Sequence, residues 1–184
     1  MVSTAATSQT QAVQISEPGI YTLDNLFKKA DVVVLIRILS GDTENYSSAV
    51  YKGEVIQSFK ASKKGAILYF GPYEGLRLGS ESLLFLRGND QTIEPKNVAS
   101  PNYGKVRYYT IFDEGYSSME ASYQCVFDGK VPSQSCDYGV RVCTDYIKLP
   151  VSTPAFPPED NDPPFGCRWV RQKVFFKLLE ELEK

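Results

Sequence analysis

The run Val-Val-Val-Leu-Ile-Arg-Ile-Leu at residues 32–39 limits the folds open to this chain more than any other feature. Its β-branched residues favour a strand, and a run that is apolar on both parities is typical of a central strand covered on both faces. It is far too short to span a bilayer, so we expect no membrane insertion. A second long strand is predicted over residues 49–60, where Gly53 suggests a bulge of the kind that lets a small barrel close.

Further strands and two helices follow from the rest of the pattern. Thr22 is a capping residue for a short helix over residues 23–30, and apolar residues recur every three to four positions from 168 to 183. Turn residues separate the remaining predicted strands, which lie at 66–70, 82–88, 106–112, 122–127 and 138–149. The proline-dense stretch 150–166 is predicted to be a loop. Together these elements predict a mainly β fold, a five-stranded OB-type antiparallel barrel with a short N-terminal helix and a C-terminal helix.

Composition and charge exclude several classes of function. The chain has no histidine, which rules out every catalytic triad or metal site that depends on an imidazole. The formal net charge is -2, so no global field attracts nucleic acid or an anionic membrane. Several carboxylates could form an acid–base pair, but their spacing does not distinguish them from surface charge: Glu74, Glu81, Asp113, Glu114 and Glu120. We therefore expect no catalytic residue, no metal and no cofactor, with a carboxylate-based hydrolase as a third hypothesis.

The cysteines indicate the compartment. Cys125, Cys136, Cys143 and Cys167 lie in the last third of the chain, without the CxxC spacing of a zinc site. Two disulfides are predicted, and hence an oxidising environment, secreted or periplasmic. Four cysteines allow three pairings that sequence alone does not separate, but Cys125–Cys136 and Cys143–Cys167 each close a short loop and are favoured. Residues 1–18 are interpreted as a flexible arm that follows a removed signal peptide, and residues 19–184 as a single domain.

Part of the chain resembles a known family. The residues that carry the resemblance are Ala30-Asp31 before the apolar strand, Val55 with Phe59-Lys60, Gly71-Pro72, and Leu78-Gly79 before Leu83-Leu84-Phe85-Leu86. Over residues 22–90 this pattern is similar to the netrin-like fold, the group that includes the tissue inhibitors of metalloproteinases. The resemblance implies an OB-type barrel and an extracytoplasmic setting. Those inhibitors begin with Cys-x-Cys, whereas the first cysteine here is Cys125, so no zinc-chelating residue carries over.

The predicted function is non-catalytic binding. Tyr103, Arg107 and Tyr109 form a candidate ligand-binding group. Tyr109 shares a parity with Ile111, and this parity is predicted to form a surface patch; the alternative is that such tyrosines face the core. The loops 40–48 and 71–79 are candidate contact segments for a protein. The expected partner is another protein, bound by an inhibitor or assembly module. Carbohydrate or oligonucleotide binding on the tyrosine-bearing face is the alternative, although the charge does not favour nucleic acid.

Overall fold

The computed structural model describes residues 20–43, 49–73, 75–88, 109–111, 119–125, 136–156 and 166–184. These ranges contain two helices and eleven strands. In chain order the elements are β1 (Tyr21–Thr22), α1 (Leu23–Lys29), β2 (Val32–Thr43), β3 (Ala49–Lys60), β4 (Ile67–Tyr73), β5 (Glu81–Arg87), β6 (Thr110–Ile111), β7 (Met119–Cys125), β8 (Cys136–Cys143), β9 (Ile147–Lys148), β10 (Ala155–Phe156), β11 (Cys167–Arg171) and α2 (Gln172–Leu182). The predicted arm over residues 1–18 lies outside the described residues.

Five strands form the predicted barrel. β2 is the central strand and pairs with β3 on one side and β5 on the other, while β4 adds to β3 and β6 to β5, all antiparallel. Tyr109, directly before β6, closes the gap to β4: its N–H donates to the Tyr69 carbonyl at 2.8 Å, and its carbonyl accepts from Gly71 N–H at 2.9 Å. This closing contact is parallel. The OB-type barrel is therefore confirmed, with a parallel contact where a wholly antiparallel barrel was predicted.

Alternation along β2 creates two separate cores. Val32, Val34, Ile36 and Ile38 point into the barrel, which is also filled by Tyr51, Val55, Phe70, Leu84, Leu86 and Ile111. Val33 and Leu35 point outwards into a second core with α1 and α2. All of Val32–Ile36 is buried, as expected of a central strand covered on both faces. Gly53 sits at a close approach, since a Cβ there would lie 2.6 Å from Ile36 Cγ1.

The sheet continues beyond the barrel because the two ends of β5 pair with different strands. Residues 86–87 of β5 pair with β6, and residues 81–83 pair with β7, which leads on to β8, β11 and β10. Val140, Val142 and Val170 of this extension pack in the second core with Phe175 and Leu179 of α2. The extension and the two helices together cover part of the outer surface of the barrel.

Three predicted boundaries at the C-terminal end are wrong. The final helix was predicted from residue 168, but residues 167–171 form β11, because they pair with β8 and bury Val170. The strand predicted over 138–149 ends at Cys143, where a turn follows whose Thr144 N–H donates to the Gly166 carbonyl. The proline-dense stretch contains the short strand β10, which pairs with β11. In each case pairing with a distant strand decided the local structure.

A disulfide staples the extension. Cys143 and Cys167 are directly opposite each other in the β8–β11 pair and are joined by the disulfide predicted from sequence. Cys125 and Cys136 are likewise opposite each other in the backbone register of β7 and β8. Direct opposition brings two residues within the Cα separation that a disulfide requires. The pairing of Cys125 with Cys136 stays a prediction.

Lys60 joins the end of β3 to the end of α1. Its Nζ donates to the carbonyls of Phe27, Lys28 and Ala30, at 2.9, 3.1 and 2.5 Å. These are carbonyls at the C-terminal end of the helix, where backbone acceptors lack helical partners and the dipole favours a cation. Thr22 caps the other end of α1 by accepting from Asn25 N–H, as predicted. Lys60, the last residue of the strand predicted over 49–60, therefore has an internal role.

Replacing Lys60 with methionine keeps the length of the side chain and removes the charge. We expect the free energy of unfolding to fall by about 2 to 3 kcal/mol, because the carbonyls lose charge-assisted hydrogen bonds. Urea unfolding followed by circular dichroism measures this change. Lys63→Met, in the exposed turn that follows, is the matched control and should stay within about 0.5 kcal/mol of the parent. Equal effects of the two variants would contradict the role given to Lys60.

Candidate binding face

At the end of the barrel away from α1, its outer surface is not covered by α1 or α2. Two rows of directly opposite residues cross it: Glu81, Arg37, Glu54 and Ile67 in one, and Ser40, Lys52 and Tyr69 in the other. Arg37 continues the outward parity of Val33 and Leu35, beyond the point where the second core ends. We call this surface the open face, and it comprises Arg37, Leu39, Lys52, Glu54, Ile67, Tyr69, Leu78 and Glu81.

Arg37 is held at the centre of the open face. Its Nη2 donates to Glu81 Oε1 at 2.7 Å, and the two side chains are 48% and 22% exposed. The hydrogen bond to Glu81 and the charge of that carboxylate raise the pKa of Arg37 above its ordinary value, and Glu54 and Tyr138 contribute in the same direction. The guanidinium therefore stays charged at every working pH. An exposed ion pair contributes little to stability, so its value here lies in fixing the orientation of Arg37.

Apolar side chains border this charged centre. Leu39 is 43% exposed, Ile67 45% and Leu78 67%. Leu39 and Leu78 belong to neighbouring backbone segments, because Gly79 N–H donates to the Ile38 carbonyl at 2.8 Å and Ile38 N–H donates to the Ser80 carbonyl at 3.0 Å. Residues 75–79, which belong to the loop 71–79 predicted to contact a partner, thus fold against the edge of the open face. The face combines two cations and two carboxylates with exposed aliphatic groups.

Of the predicted tyrosine site, the structure describes Tyr109. Tyr109 is half-buried, packs against the core inside the barrel and uses its backbone to close it. Ile111, on the same parity, is buried in that core, so the predicted surface patch containing these two residues is wrong. Tyr109 and Ile111 do share one side of the strand, as predicted, but because the sheet closes, that side faces the inside of the barrel. Tyr103 and Arg107 lie outside the described residues, in the connection between the fourth and fifth barrel strands, and their binding role stays a prediction.

Among the carboxylates proposed from sequence, only the side chain of Glu81 lies in the described part of the chain. Of the proposed carboxylates, Glu81 is on the open face in its pair with Arg37. Glu74, Asp113 and Glu114 lie outside the described residues, and for Glu120 only the backbone is described, in β7. Ser40 belongs to β2, while residues 44–48 of the predicted contact loop are not described. Within the described ranges, no group of three acidic or cysteine residues is placed to hold a metal ion.

Sequence reasoning missed most of the open face. Arg37 interrupts an apolar run, and that interruption was the available signal, because a charge on the outward parity of a covered strand marks where the cover ends. Glu81 lies opposite Arg37 in a regular β2–β5 register, whereas the β2–β3 register that brings Glu54 to the other side of Arg37 shifts between Val33 and Val34, between Leu35 and Ile36, and between Ile38 and Ser40. Bulge positions are set by packing across strands and could not be counted from the sequence.

Comparisons with known proteins give no match for this chain. No family model matches it, and neither a curated protein nor a solved structure does. Neither helix in the described ranges has the length and apolar composition needed to cross a membrane. Assignment of function therefore depends on the open face and on the sequence.

Proposed function

We propose that this chain is a non-catalytic, protein-binding module of netrin-like type that works in a secreted or periplasmic setting, where it can inhibit or assemble its partner. The open face carries this proposal. In OB-type barrels the second and third strands, here β3 and β4, form a recurrent binding surface together with adjoining loops, which other members of the fold use for oligonucleotides and oligosaccharides. The Cys143–Cys167 disulfide supports an oxidising compartment.

The chemistry of the open face favours a protein over the alternative ligands. Arg37 and Lys52 are balanced by Glu54 and Glu81, so the surface lacks the excess of cations that a nucleic acid requires. A saccharide site needs flat aromatic rings in a concave groove, whereas the exposed apolar groups of the open face are aliphatic, at Leu39, Ile67 and Leu78, and its aromatic residue, Tyr69, is half-buried. An orientated arginine surrounded by apolar contacts is a common centre of protein interfaces.

Site-specific photocrosslinking tests this proposal. A benzophenone amino acid placed at Ile67 or Leu78 of the full chain should yield one discrete protein adduct from the extracytoplasmic fraction of the source cells. Val151, which is fully exposed in a turn of the extension, is the control position. In the purified pair, Arg37→Glu should weaken binding at least about tenfold, as expected for a central interface residue.

Three outcomes would contradict the proposal. One is an adduct from Val151 as strong as those from the open face. Another is Arg37→Glu binding the captured protein as tightly as the parent chain does. The third is saturable binding of an oligosaccharide or a single-stranded oligonucleotide that Arg37→Glu abolishes, which would support the alternative ligand class instead.

A further inference from the structure

Exposed apolar surface is concentrated on the open face. Of the six large apolar residues that are exposed in the described ranges, Leu39, Ile67 and Leu78 belong to this face. A fourth, Tyr138, borders it, since it lies close enough to Arg37 to raise the pKa of the guanidinium. A cluster of apolar groups rimmed by charges is typical of a protein contact.

Opposite charges stand side by side along β3 on this face. Lys52 and Glu54 flank Gly53, which is buried against Ile36, so both side chains point outwards. Both are half-buried, and within the described ranges neither forms an ion pair. A cation and a carboxylate in this order are complementary to the same pair running in the opposite direction.

A twofold axis across the strands matches this pattern with itself. An axis midway between the two rows stacks β3 antiparallel on β3 of a second copy, so that Lys52 and Glu54 each meet the opposite charge. The same operation places Ile67 against Tyr69 of the second copy. A twofold axis along the strands, between β2 and β3, would instead set Glu81 against Ile67, a carboxylate against an aliphatic group.

The border of the open face fits the same arrangement. Gly65 N–H donates to the Val55 carbonyl at 2.8 Å, so the β3–β4 turn lies beside the face. This turn carries the exposed residues Lys63 and Lys64 next to Ile67. Because the twofold operation reverses the strand direction, the turns of the two copies lie at opposite ends of the interface. Their ammonium groups are thereby kept apart, whereas like charges that met would oppose association.

We propose, on the basis of the protein binding proposed above, that the partner of the open face is a second copy of this chain, in a twofold dimer with β3 stacked antiparallel on β3. Twofold homodimers are the commonest oligomers of soluble proteins, and both subunits use the same patch. From strand spacings the face measures about 20 by 25 Å, or about 500 Å² per copy, at the small end of specific interfaces. The dimer is therefore expected to be weak, with a Kd on the order of 30 µM.

Sedimentation velocity of the full, disulfide-bonded chain tests the dimer, and the parent should associate reversibly with that Kd. Lys52→Glu alone, or Glu54→Lys alone, puts two like-charge pairs across the interface and should weaken dimerisation at least about tenfold. An equimolar mixture of the two variants restores opposite charges at both contacts of a mixed dimer. The mixture should therefore associate within about threefold of the parent.

Two matched variants separate local from global charge. Lys148→Glu and Glu180→Lys make the same changes in net charge at exposed positions of β9 and α2, and each should dimerise within about twofold of the parent. Three outcomes would overturn the proposal: a parent that stays monomeric at about 300 µM, control variants that lose as much as Lys52→Glu and Glu54→Lys, or no recovery when these two are mixed.

Photocrosslinking distinguishes failure of the dimer from failure of the proposed function. A benzophenone amino acid at Ile67 of the purified chain alone should yield an adduct of twice the chain mass. If the purified chain yields none while the extracytoplasmic fraction yields an adduct with a different protein, the open face binds protein and the dimer is wrong. If neither yields an adduct, both proposals are wrong.

Discussion

Replacing Gly71 with alanine is expected to lower the free energy of unfolding by about 4 kcal/mol, and the melting temperature by about 10 °C. Gly71 has a φ of +133°, a conformation that residues with a side chain rarely adopt. An added Cβ would also lie 2.7 Å from the Ala49 carbonyl oxygen and 3.2 Å from Val50 Cα, both backbone atoms of β3. Backbone of a central strand cannot move aside without loss of pairing.

The position of Gly71 makes the effect larger than a local clash. Its N–H donates to the Tyr109 carbonyl, one of the two hydrogen bonds that join β4 to the last barrel strand. Any shift of Gly71 away from β3 therefore loosens the closure of the barrel. Thermal and urea unfolding of the purified variant, followed by circular dichroism, measure the loss.

Gly75→Ala is the matched control for this prediction. Gly75 has a φ of +81°, but nothing lies within 4 Å of an added Cβ. The control therefore includes the conformational cost, about 1 kcal/mol, without the steric cost. If the two variants lost the same stability to within about 0.5 kcal/mol, the close contact between Gly71 and β3 would be irrelevant and this account of closure would be wrong.

Removal of the Cys143–Cys167 disulfide is the second large effect. The two cysteines are separated by 24 positions, so opening the loop in the double variant Cys143→Ser, Cys167→Ser should cost about 3.5 kcal/mol through the entropy of the unfolded chain. The bond also fixes β11 against β8, and β11 leads directly into α2, whose Phe175 and Leu179 complete the second core. We therefore expect α2 to lose protection from amide hydrogen exchange first.

Reductant provides the control for the disulfide prediction. Dithiothreitol should destabilise the parent protein at least as much as the double substitution does. In the double variant, reductant should cause a further loss only if Cys125 and Cys136 are joined, as their opposed register predicts. Equal stability of the oxidised parent and the double variant, or four reactive thiols in the unfolded protein without reductant, would contradict both the energetic role and the inferred compartment.

Much of the barrel could be predicted because its signals are local. The β-branched run at residues 32–39 indicated a central strand, and Thr22 indicated the start of α1, since both depend on side chains close in sequence. β3 was predicted with its observed boundaries, Ala49–Lys60. The assignment failed for residues 167–171, where a helical spacing of apolar residues was overridden by pairing with β8.

The candidate site was harder to predict than the fold, because it consists of neighbours from separate strands. Tyr109 was identified as a residue of interest from its aromatic character, yet in the structure it contacts the barrel core and the backbone of β4. Conversely, Arg37 and Glu81 are 44 positions apart and share a surface only through the register of β2 with β5. Neither the contacts of Tyr109 nor the pairing of Arg37 with Glu81 follows from a periodic pattern of residues along the chain.

By itself, the sequence determined the strands β2 to β5, the first helix, the absence of imidazole chemistry and the availability of cysteines for disulfides, because these follow from residue types and their local spacing. Only the tertiary structure decided how the sheet closes through Tyr109, where the pairing of β5 passes from β6 to β7, and which charges gather on the open face. Strand register and closure are set by side chains that meet across the barrel, and those contacts exist only once the chain has folded.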